Sequence, residues 1–85
     1  MTESRDILRS AFLEIVDNQL REEDPPQTKA TYKRLVDQGY SDQEARNLIG
    51  CAVISEIYDI LKQNKPFVIK RFVRALRRLP ELPWE

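Results

Sequence analysis

Apolar residues recur along this chain at intervals of three and four, in four runs parted by proline or glycine. That spacing places side chains on one face of an α-helix. The first run is Leu8, Phe12, Ile15, Val16 and Gln19-Leu20, widened by Ile7 and Ala11, and predicts a helix over about 3–21. Thr2 or Ser4 is its candidate cap, and Glu3 and Asp6 suit the positive end of its dipole. Glu22-Glu23-Asp24 oppose the dipole at the other end, so the helix is expected to stop near Arg21.

Asp24-Pro25-Pro26 gives a stiff, extended link. A second helix follows over about 26–38, with Ala30 or Thr31, Leu35 and Val36 inward, Tyr32 on the flank and Gly39 as the stop. Ser41-Asp42-Gln43-Glu44 is a capping box and opens a third helix over about 42–63. Ala45, Leu48, Ile49, Ala52, Val53, Glu56-Ile57, Ile60 and Leu61 mark its main face, and Cys51, Ile54 and Tyr58 carry apolar surface further round. A helix apolar on so much of its girth is expected at the centre, contacted on more than one side. Gly50 lies in its middle, where Gly costs about 1 kcal/mol against Ala; the expected return is close approach of another helix.

Asn64-Lys65-Pro66 breaks the chain again, and a fourth helix is predicted over about 66–79 with Ile69, Phe72, Val73, Leu76 and Leu79 inward. Pro80 and Pro83 end it and predict an extended tail over 80–85. No strand alternation or internal repeat interrupts this pattern. The fold class is therefore all-α, one domain over 1–85, a compact array of four helices with a long central third helix.

A chain of 85 residues buries a thin core, so this domain must pack efficiently or be completed by a second copy or a partner. The formal net charge is zero, which argues against a globally basic nucleic-acid binder. The charges are unevenly spread: Lys62 to Leu79 holds seven basic residues and no acid, against seven basic and twelve acidic from Met1 to Leu61. Lys70, Arg71, Arg74, Arg77 and Arg78 share one outer face of the fourth helix. That face is either paired with acids of the other helices, or solvated, or a docking surface for phosphates, nucleic acid or an acidic protein. It lacks interleaved aromatics, so base stacking is not expected. Trp84, in the Pro-flanked tail, either packs back with Leu82 or anchors another subunit or partner.

The chain has no histidine and a single cysteine, which removes the usual general base, nucleophile pairs, thiolate zinc sites and any intrachain disulfide. No glycine-rich phosphate loop is present. Glu56 and Asp59 are the least obviously exposed acids and read as surface or ion-pair residues; Cys51 reads as a small buried hydrophobe. No catalytic residue, metal ligand or cofactor is expected. The polar N-terminus and the absence of a membrane-length apolar run predict a cytoplasmic protein with no membrane partner.

The series Val16-Asp17-Asn18-Gln19-Leu20, Asp24-Pro25-Pro26, Thr31, Arg34-Leu35, Gly39, Glu44-Ala45, Ile49-Gly50 and Leu76-x-x-Leu79 resembles a small prokaryotic all-helical domain of unknown function. Its members often carry H-E-A-x-H on the third helix, a metal-binding arrangement. Here those positions read Gln43-Glu44-Ala45-Arg46-Asn47, so the resemblance implies a fold but not a metal, and Glu44 is left as the capping-box residue. The expected function is a non-enzymatic protein-interaction module that binds an unknown protein partner or itself as a homodimer. Nucleic-acid or phosphate binding through the fourth helix is the alternative.

Overall fold

Four helices form in the computed structural model, which describes the backbone over residues 2–64 and 66–84 and the side chains from Ser10 to Trp84, Lys65 apart. They are α1 (Thr2–Glu22), α2 (Pro26–Asp37), α3 (Asp42–Gln63) and α4 (Ile69–Arg78), and the described residues include no strand. The all-α class and the long third helix are as expected. The side chains of the candidate caps Thr2 and Ser4, and those of Ile7 and Leu8, lie outside the described residues.

The links obey local chemistry. Gly39 takes φ +105°, and a Schellman motif closes α2: Tyr40 N–H donates to Leu35 O at 3.1 Å and Gly39 N–H to Val36 O at 3.0 Å. The next residue, Ser41, completes the capping box of α3, accepting from Glu44 N–H at 3.1 Å while its own N–H donates to the Glu44 carboxylate at 3.0 Å. That backbone bond lowers the Glu44 pKa. A folded-state pKa below the unfolded one gives stability at neutral pH that is lost as pH falls through the carboxylate range.

α4 begins at Ile69, not near Pro66. Val68 is its extended N-cap, and the preceding Phe67 sets its ring 6.1 Å from Phe72. These are the N′ and N4 positions of a hydrophobic staple, so packing fixes the start. α4 ends at Arg78 because Pro80 holds Leu79 extended, at φ −57° and ψ 140°; Leu79 is still fully buried. The tail turns instead of running extended: Glu81 N–H donates to Arg78 O at 2.9 Å.

The core is Val16 from α1, Leu35 from α2, Ala45, Ile49, Ala52 and Val53 from α3, and Phe72, Leu76 and Leu79 at α4. α3 packs against α1, α2 and α4. Three assignments on the apolar stripes are corrected. Val36 is exposed and Thr28, which donates to the Gln19 side chain at 3.0 Å, is buried in its place; Leu61 is almost wholly exposed; and Ile69 is exposed at the first turn of α4.

Gly50 also departs from expectation. It is buried, yet among the described residues a Cβ built there would meet no neighbouring heavy atom within 4 Å. No described residue crowds that position, so among them the helix-propensity cost has no packing return. Gly50→Ala is therefore expected to stabilise the domain by about 0.8–1 kcal/mol, a rise of roughly 4–8 °C in Tm at this size, measured by thermal melting. A lower Tm would show that the space beside Gly50 is needed.

Candidate functional site

Whether the basic face of α4 is free depends on which acids the fold brings to it. Arg71 leans onto α3: its guanidinium lies 3.2 Å from Glu56 Oε1 and 3.5 Å from Asp59 Oδ2. Glu56 is buried, and its contact is out of line for a hydrogen bond, so the attraction there is coulombic. Arg78 pairs with Glu81 in the tail. Elsewhere Arg46 bridges Asp17 of α1 and Asp42 of α3, and Lys29 meets Glu23 at 2.5 Å. Tyr32 donates to Asp42, and this bond, ahead of Arg46, lowers the Asp42 pKa.

Lys70, Arg74 and Arg77 make no ion pair or hydrogen bond among the described residues. They stand at i, i+4 and i+7, about 10.5 Å end to end at 1.5 Å per residue. All three line a groove between α2 and α4 that consists of two adjoining hollows of about 370 and 270 Å³. Its floor is Ile69, Val73, Ala30, Thr31 and Leu76; Gln27 and Arg34 complete the α2 side. Among the described residues no acidic side chain lines either hollow.

No protein-family model matches the chain, and no characterised protein or solved structure is significantly similar to it.

The five cations that share one helical face thus separate into two groups. Arg71 and Arg78 are engaged internally, while Lys70, Arg74 and Arg77 flank the groove. Trp84 is 60% exposed and lines neither hollow. Arg34, to which sequence reasoning gives no role, reaches from α2 to donate to Leu79 O at 2.8 Å and Leu76 O at 2.9 Å, the carbonyls at the end of α4. Its signal in the sequence is only a basic residue beside buried Leu35.

Little reactive chemistry is assembled. Burial raises the pKa of the Cys51 thiol, which disfavours the nucleophilic thiolate. Among the described residues no three Cys, Asp or Glu converge closely enough to hold a metal ion, and no helix is long and apolar enough to cross a membrane.

Proposed function

We propose that this domain is a non-enzymatic protein-interaction module that takes an acidic, apolar-faced helical segment into the α2–α4 groove. The observation that carries this reading is the pairing of three cations, unengaged among the described residues, with a largely apolar floor in a groove whose described lining holds no acid. A helix with carboxylates on one side and leucines on the other satisfies both features. Bare phosphate backbone satisfies only the cations. Three phosphate contacts give a salt slope of about −2.7, against roughly −5 to −9 for proteins making six to ten. The acid-free row still supports nucleic-acid binding as the second reading, and one titration separates the two.

The parent and the triple variant Lys70→Gln, Arg74→Gln, Arg77→Gln are titrated with a labelled Glu/Leu amphipathic peptide and with duplex DNA and RNA, at low and moderate salt. The parent is expected to bind the peptide, with the apolar share of affinity surviving moderate salt. Three rim pairs are worth about 1–2 kcal/mol together, so the variant is expected to lose 5- to 30-fold. Its melting temperature should hold or rise, since like charges a turn apart are removed. Tighter binding to duplex than to peptide would favour the second reading; binding to neither at low salt would end both.

A further inference from the structure

We infer that the helical segment taken by the α2–α4 groove lies antiparallel to both helices, with its carboxylates concentrated toward its own N-terminal end. This rests on the reading of the groove as a site for an acidic helix, and it adds the direction and the charge pattern of that partner.

α2 and α4 run the same way. Gln27, in the first turn of α2, shares a hollow with Ile69 and Lys70, in the first turn of α4. Arg34, in the last turn of α2, donates to Leu76 O at 2.9 Å and Leu79 O at 2.8 Å, at the end of α4. α3 packs against both and is joined to each by a short link, so it runs back between them. Two helix dipoles therefore lie side by side along the groove, positive at its Lys70 end and negative at its Arg34 end. The two ends are not equally compensated. At the negative end Arg34 holds the α4 carbonyls, and Arg77 and Arg78 stand in the last turn. At the positive end neither N-cap, Pro25 or Val68, makes a side-chain cap bond, and neither first turn holds an acid. A helix laid in the groove is favoured with its negative C-terminal end beside Gln27 and Lys70.

That direction places the partner's carboxylates. From the partner's N-terminus the free cations come in the order Arg77, Arg74 and Lys70, three and then four residues apart. Arg77 and Arg74 face its first turns, where Glu also stabilises the helix that carries it. Lys70 faces its last turn, where the partner's own dipole supplies negative charge. The matching segment has carboxylates at i and i+3, and a third at i+7 adds least. The hollow that reaches Ile69 and Lys70 is the larger, about 370 against 270 Å³, so the bulkier apolar residue falls in the partner's C-terminal half.

Paramagnetic relaxation enhancement tests the direction. The Glu/Leu amphipathic peptide carries a nitroxide at its N-terminus or at its C-terminus, and the amide signals of the parent are followed at saturation. The C-terminal label is expected to broaden Gln27, Ile69 and Lys70 at least about threefold more than Arg34 and Leu79, and the N-terminal label to do the reverse. Two further peptides, each stapled as a helix, carry Glu at i and i+3 in the first turns or in the last turns. The first is expected to bind at least about threefold more tightly. Equal broadening at both ends, the opposite pattern, or equal affinity of the stapled pair would overturn the inference and leave the groove reading standing. Peptides that broaden no groove residue would overturn both.

Discussion

Replacing Arg34 by Met is expected to destabilise the domain by about 2–3 kcal/mol, a fall in Tm of roughly 10–20 °C for a chain of this size. The last carbonyls of a helix have no partner within it. α4 ends against the core, with Leu76 and Leu79 both buried, and Arg34 donates one bond to each of their carbonyls. Both bonds carry the guanidinium charge, and the charge lies at the negative end of the α4 dipole. Met keeps most of the apolar stem, so the loss measures the fork and not the packing. Leu76 O also accepts from Leu79 N–H at 3.2 Å, so only the Leu79 carbonyl loses its sole protein partner, and water reaches part of this site; both hold the cost below that of two fully buried unpaired carbonyls. Arg34→Lys should recover less than half the loss, because one ammonium does not reproduce two bonds at a fixed angle. Urea unfolding with unchanged m-values checks both variants. A cost for Arg34→Met below about 0.5 kcal/mol would show that solvent satisfies these carbonyls equally well.

The helices are legible in the sequence because their ends are written in local chemistry. Ser41 with Glu44, and Gly39 after the second run, act on their own neighbours and need no tertiary context. The start of α4 is not legible in the same way. Pro66 suits a first helical turn, but the Phe67–Phe72 contact decides the matter. Helical phase also places five cations on one face without saying which of them other elements reach. Whether Arg71 is free depends on the rotation of α3, which brings Glu56 and Asp59 to it. Gly50 fails for the converse reason. A glycine in a helix suggests close approach, but only the arrangement of the neighbouring helices shows that no described residue fills the space. The groove is half legible: its cations are visible as a row, while Gln27 and the exposed Ile69 become part of it only once α2 lies beside α4.

The same pairing of α3 with α4 leads to the other large effect. Arg71→Met is expected to cost about 2–3 kcal/mol, and adding Glu56→Met should return most of it. In the parent the Glu56 side chain is 7% exposed and its carboxylate makes no hydrogen bond, so Arg71 is the charge that compensates it. Removing Arg71 leaves a carboxylate in a mostly apolar crevice lined by Ile15, Val53, Ile57, Phe67 and Phe72, with Gln19 as the other polar side chain there. Breaking a fully buried pair costs about 3–5 kcal/mol; Arg71 is 30% exposed, so water softens the loss. Asp59 loses the same partner but is half-exposed and turns to solvent at little cost. The double variant removes both charges and fills the space with unbranched apolar side chains, so its stability should come within about 1 kcal/mol of the parent or exceed it. The non-additivity of the cycle, read from urea unfolding of the four proteins, is the measure of the pair. Additive losses would mean that the carboxylate reaches water without Arg71. Because Arg71 points to α3 and lines neither hollow of the groove, the double variant should bind the acidic helical peptide as the parent does. The Lys70, Arg74 and Arg77 variant should show the reverse, keeping its stability and losing the peptide. That opposition separates the cation that holds α4 in place from the three that α4 presents.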